Sequence, residues 1–250
     1  MCSRRVPQNL ILIKFPGATA RNQAAEQQPA GDYPMRSLIL STAAAAALVS
    51  PAHAEAGDWL VRLRGIYVAP QDDSGGVLPA VPTGSVTVDD AIVPELDFTY
   101  FFTNNIAAEL ILATSPHDIG GAGALSALGE IADTMALPPT LTLQYHFAPN
   151  AKMRPYVGAG INWTVFYSED PSTSLNTALG GATDVSLDDS FGWAVQAGVD
   201  FDITERVFLN LDVKYVDIDT TATLDTGGVF NNVDVEIDPL IFGVGLGMRF

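Results

Sequence analysis

Cysteine is almost absent. Cys2 is the single one in 250 residues, which excludes an intramolecular disulfide and any zinc site built on cysteines. Positive charge is scarce too. Twelve Lys and Arg face 29 Asp and Glu, a formal net charge of −17. The chain therefore offers no basic face for the phosphates of a nucleic acid. Charged residues of both signs make up only 16% of the sequence, against about 25% in an ordinary soluble domain. Hydrophobic residues make up 48%, too many for disorder. What remains is a large soluble core or a membrane protein, in one domain or at most two. A membrane-spanning helix is also missing. The longest near-continuous apolar run, 38–49, has 12 residues, and a span needs about 20.

The flanks of that run give it another meaning. Met35 and Arg36 supply a short positive region, 38–47 an apolar one, and Ala52-His53-Ala54 an A-x-A cleavage site. These are the parts of a secretory signal peptide in order, expected over 35–54 with cleavage after Ala54. Residues 1–34 are expected to be an upstream extension before a true start at Met35, or else a long n-region. Arg4-Arg5 only weakly suggests a twin-arginine signal, because Pro7 and a short apolar stretch follow it. Removing 1–54 takes away five of the 12 basic and two of the 29 acidic residues. The remainder, 55–250, has 7 basic and 27 acidic residues, net −20, and no cysteine.

That remainder has a period of two. Alternation of apolar and small or polar residues marks half-buried strands. It recurs over 59–67, 96–102, 106–112, 141–147, 157–165, 191–201, 207–215 and 240–250. No convincing helix pattern interrupts it. The connectors alternate in length: 103–105, 148–153 and 204–205 are short, while 70–91, 115–136, 168–188 and 220–232 are long. Eight strands with short turns at one end and long loops at the other predict an all-β fold. It is an eight-stranded antiparallel transmembrane β-barrel with short periplasmic turns and long extracellular loops. Closure follows from the solvent: in lipid every backbone N–H and C=O needs an internal partner, so no sheet edge can be left open.

Alternation alone does not say which face is outside. A soluble barrel of the lipocalin kind would turn the apolar face inward around a ligand. Two features favour lipid outside. Gly158, Gly160, Gly192, Gly198, Gly243, Gly245 and Gly247 fall on the other face, as a crowded narrow interior requires. The chain also ends on Phe250, after an apolar residue at every second position. Such a terminal ladder is expected to serve as an assembly signal for the barrel-assembly machinery.

Several stretches resemble the OmpW family of outer-membrane proteins. They are 154–162 (Arg-Pro-Tyr-Val-Gly-Ala-Gly-Ile-Asn), 187–192, 198–200, 217–222, 104–110, 116–119, 137–141 and the final Arg249-Phe250. The likeness covers nearly all of 55–250, and 154–162 together with 217–222 is its specific part. It implies residence in the outer membrane, a narrow and partly apolar lumen, and passage of small, mainly hydrophobic solutes. The inward positions Phe101, Ile111, Phe208 and Ile241 would supply the apolar lumen. Lys214 departs from the pattern, since related barrels can carry an aromatic there.

The polar face holds Arg62, Arg64, Glu95, Asp97, Glu109, His146, Asp200, Asp212, Lys214 and Arg249. Charges in a narrow barrel should pair, because unpaired burial is costly. They either brace and plug the lumen or tune what passes. Catalysis has little to work with. Ser115, His117 and Asp118 are neighbours in a long loop, but a triad is defined by geometry and not by proximity in sequence. Acidic residues crowd the long loops without the spacing of a calcium loop, so no metal and no cofactor is expected. The default for them is a solvated rim that repels anions. Two functions are carried forward. One is a narrow channel for small hydrophobic solutes. The other is a closed structural barrel whose long loops bind partners or lipopolysaccharide.

Overall fold

The computed structural model describes residues 55–250. The signal peptide expected at 35–54 and the extension at 1–34 lie outside the described residues. The strands run in chain order β1 (Trp59–Ala69), β2 (Asp73–Ser74), β3 (Gly84–Val88), β4 (Ala91–Phe101), β5 (Ile106–Ala113), β6 (Ser115–Gly123), β7 (Glu130–Leu137) and β8 (Thr140–His146). They continue as β9 (Met153–Pro171), β10 (Asp184–Leu187), β11 (Ser190–Asp202), β12 (Val207–Val216), β13 (Asp219–Thr226), β14 (Val229–Glu236) and β15 (Leu240–Arg249). One helix, α1 (Thr173–Leu179), lies between β9 and β10.

Eight strands close a barrel in the order β1-β4-β5-β8-β9-β11-β12-β15. The last strand returns to the first in antiparallel register, from Leu60 opposite Arg249 to Ala69 opposite Leu240. At the seam, Trp59 N–H donates to the Phe250 carbonyl at 3.1 Å, and Phe250 N–H donates to that of Trp59 at 2.9 Å. No edge of the cylinder is left open there, which is what lipid demands of a sheet.

The outward face is apolar. Leu63, Ile92, Leu141, Leu143, Leu211 and Val244 are all exposed, an arrangement that water would penalise and acyl chains would not. Aromatic pairs flank this band. Near the short turns Trp59 and Tyr100 lie 5.0 Å apart, and Tyr145 and Phe147 5.2 Å. Towards the long loops Trp193 and Tyr215 are 5.2 Å apart. This places girdles at both ends of an apolar belt, as in outer-membrane barrels.

Two expectations need correction. The four long connectors are not irregular. The upper part of β9 continues into a ladder with β7, β6 and β3. The remaining connectors build a second sheet in the order β10-β13-β14-β2. Strands such as 219–226 carry Thr on both faces and few apolar residues, so their apolar alternation is weak. Only pairing with 229–236 makes them strands. The chain also contains a helix. Ser172 caps α1, its Oγ accepting from Leu175 N–H at 3.2 Å, and Gly180 ends it in the left-handed conformation at φ +82°. Seven residues are too few to show a helical period.

Candidate functional site

The barrel interior has three layers. Nearest the short turns is a small apolar cluster of Leu60, Phe101, Ala107 and Phe208. Gly247 makes room for it, because a Cβ there would lie 2.1 Å from the Phe208 ring. Phe208 also has the Arg62 and Arg154 guanidinium groups over its ring, each 5.5 Å from the centroid. Nearby, the His146 ring stacks on Tyr156 at 5.0 Å, and its Nε2 lies 3.1 Å from Gln144 Oε1.

Above this cluster lies a layer of charge. The Arg62 guanidinium contacts Asp97 Oδ1 at 3.0 Å, Glu109 Oε1 at 3.1 Å and Asp200 Oδ2 at 3.3 Å, every side chain fully buried. Arg64 meets Glu95 at 2.7 Å and Asp97 at 3.0 Å. Lys214 Nζ meets Glu95 Oε1 and Asp212 Oδ1, both at 2.9 Å. Neutral donors complete the layer. Gln144 and Gln196 donate to Glu109 at 2.7 and 2.6 Å, and the Tyr156 hydroxyl donates to Asp212 at 2.8 Å. Charges that each meet several partners in this way can survive burial that isolated charges cannot. Together with the aromatic cluster they close the lumen across its width.

The third layer is a cavity of about 150 Å³ on the long-loop side of that floor. Its walls are overwhelmingly aliphatic. β1 contributes Ile66 and Val68, the loop ladders Val86, Ile131 and Ala136, and the second sheet Ala222, Leu224, Val233 and Val235. The long connectors therefore fold inward to extend an apolar chamber above the barrel. Its floor is Glu95 and Lys214, ringed by Thr140, Thr164, Ile111 and Ile241.

The chamber borders an interruption in the wall. β4 and β5 pair only from Glu95 opposite Ala113 towards the short turns. Towards the long loops, β3 and β6 pair from Val88 opposite Ile119, and Asp89 N–H donates to the Asp118 carbonyl at 3.0 Å. Between these ladders, residues 90–94 have no β5 or β6 ladder partner among the described residues. Pro94 has no N–H to give one. Val88, Glu95 and Ala113, at the ends of the two ladders that flank this interruption, line the chamber together with Ser115 and His117. His117 spans it: Nδ1 lies 2.9 Å from the Asp89 carbonyl and Nε2 2.9 Å from Ser115 Oγ. A carbonyl only accepts, so Nδ1 carries the proton and Nε2 accepts from the Ser115 hydroxyl. Burial holds this imidazole below its ordinary 6.5, against the opposing pull of the Asp89 carbonyl and nearby acids.

The residues singled out in the sequence fall into different layers. Phe101 and Phe208 belong to the apolar cluster beneath the charges, whereas Ile111 and Ile241 line the chamber above them. Arg62, Arg64, Glu95, Asp97, Glu109, Asp212 and Lys214 form the charged layer. Arg249 sits beside Asp202, 3.8 Å away. Phe250 is exposed at the seam. Asp118 is exposed on the face opposite Ser115 and His117, so those three do not assemble into a triad. Among the described residues no group of three His, Cys, Asp or Glu is placed to hold a metal. Arg154 and the chamber-lining residues of the connectors were missed. Arg154 precedes the stretch of visible alternation, and the connectors alternate too weakly in sequence to mark their inward residues.

Comparison with known proteins gives the same picture. The family model described as "OmpW family" matches residues 55–250. Outer membrane protein W of Escherichia coli (strain K12) is 40% identical over 221 residues, covering 86% of this chain and all of that protein. The Pseudomonas aeruginosa protein named "Dibenzothiophene metabolism operon protein PahQ" is 28% identical over 210 residues, 81% of this chain and 93% of its own. Among solved structures, the outer membrane protein OprG from Pseudomonas aeruginosa superposes with a TM-score of 0.74 at 33% identity, covering 80% of this chain and 99% of that one. Outer membrane protein W and OprG are named as outer-membrane proteins, and OprG shares this barrel fold. This chain is an outer-membrane β-barrel and belongs to the OmpW family.

Proposed function

We propose that the barrel takes up small, mainly hydrophobic solutes from outside the cell and releases them sideways into the membrane rather than through its base. The observation that carries this reading is the aliphatic chamber seated on a charged floor. An apolar molecule gains by entering the chamber and would lose by crossing a fully buried ion-pair layer. The interrupted β4 edge beside Pro94, which borders the chamber, supplies a way out. The relative named for dibenzothiophene metabolism is associated by its name with an apolar aromatic, which supports the solute class. The acidic exterior, net −20 over 55–250, disfavours anions at the entrance.

The partners of this reading are the solutes, the surrounding lipid and lipopolysaccharide, and the assembly machinery that would recognise the terminal Phe250. The test is the rate at which a hydrophobic fluorescent probe enters vesicles with a lipopolysaccharide outer leaflet. Protein-containing vesicles should take it up faster than empty ones. Equal rates would overturn the reading and favour a closed barrel whose loops bind partners.

A further inference from the structure

Resting on that uptake reading, we infer that the chamber's preferred occupant carries a neutral hydroxyl, which sits on Glu95 and Lys214 at the floor. The chamber holds few polar side chains, and most of those are already satisfied. The Ser115 hydroxyl is bound to His117, and His117 to the Asp89 carbonyl. Thr140 donates to the Pro138 carbonyl at 3.0 Å, and Thr164 to Asn162 at 2.7 Å. Glu95 differs. Its carboxylate is 2% exposed, and both its partners fall on one oxygen: Arg64 Nε at 2.7 Å and Lys214 Nζ at 2.9 Å meet Oε1. Oε2 has no partner among the described residues, and Glu95 lines the chamber. Oε2 is not among the fully buried unpartnered atoms, so it keeps accessible surface, and an accessible acceptor on an otherwise aliphatic chamber is one that an occupant's donor can meet. Lys214 complements it. Its ammonium has three N–H groups, two of which are used on Glu95 and Asp212.

A hydroxyl fits this pair, since it can donate to Oε2 and accept from the remaining N–H. An ammonium head would meet Lys214. A carboxylate head would be one more anion beside Glu95 and Asp212, with Arg64 and Lys214 already shared between them. The occupant is thus an alcohol or phenol with a compact apolar body. The chamber's volume is about that which takes up benzene.

A series on one aromatic body tests this with the unaltered protein in lipid nanodiscs: benzyl alcohol, toluene and benzoate. Binding is followed by NMR with the Glu carboxyl carbons labelled, and each affinity is divided by that ligand's partition into empty nanodiscs. Benzyl alcohol should then exceed toluene by about five-fold, with benzoate weakest, and it alone should shift the Glu95 carboxyl signal. Toluene binding as well as the alcohol, with Glu95 unmoved, would overturn the hydroxyl preference and leave hydrophobic uptake standing. Benzoate binding best would overturn it in favour of a Lys214-dominated site. Failure of all three to bind would overturn both.

Discussion

The floor depends on two guanidinium groups: Arg64 meets four carboxylates, and three are held at once by Arg62. Replacing Arg62 with Ala leaves Asp97, Glu109 and Asp200 buried without that counter-charge, at a cost of about 3–5 kcal/mol. Arg62→Lys should be intermediate, because one ammonium cannot reach all three in the planar fork of a guanidinium. Urea unfolding in lipid vesicles, followed by the shift in electrophoretic mobility, checks both. His117 gives a second residue-scale prediction. Its imidazole is held below the ordinary 6.5 by burial, so the unfolded chain binds the proton more readily than the folded one. The stability it contributes is present above about 6.5 and is lost as pH falls below that value. The protection of the Asp89 amide, whose N–H bridges to Asp118, taken relative to its intrinsic exchange rate at each pH, should therefore fall on acidification more in the native protein than in His117→Gln. Equal acid sensitivity would show that the seam does not depend on this ring.

At the scale of elements, β15 joins closure to assembly. Its outward side carries Phe242, Val244, Leu246 and Met248 before Phe250, and all are exposed. Deleting Phe250 removes one pair of seam hydrogen bonds and a surface aromatic, a small loss once the barrel is closed. The amount of folded protein reaching the membrane should nevertheless fall several-fold, if the terminal aromatic is what the assembly machinery reads. Heat-modifiable mobility of membrane fractions measures this, and equal folded amounts would contradict it. The inward side of β15 makes a packing prediction: Gly247→Ala pushes into Phe208 and should destabilise by about 1–3 kcal/mol. The eight barrel strands were legible in the sequence because lipid on one side and a crowded lumen on the other impose strict alternation. The connectors were not. Residues 84–88 and 219–226 are strands because of partners far along the chain, and a two-turn helix at 173–179 is too short to show a period. Inward charges such as Arg62 and Glu109 could be read from parity. Their division into a floor with an apolar cluster beneath and a chamber above depends on how far each strand extends, which parity does not encode.

Residues 55–250 together form a barrel with an apolar outer belt, a charged cross-layer and an aliphatic chamber built largely from its connectors. A barrel blocked in this way should pass little ion current in a planar bilayer while still moving apolar probes, a combination that neither an open pore nor an inert scaffold would show. If the chamber is the route, filling it should stop uptake. Ala136→Phe and Ala222→Phe each add bulk inside it, on β7 and β13, away from the charged floor and the barrel seam. The decisive measurement is the uptake rate of a hydrophobic probe into lipopolysaccharide-coated vesicles carrying the double variant, compared with the native protein at equal folded amounts. A rate close to that of empty vesicles is expected. A folded double variant that takes up the probe as fast as the native protein would contradict it.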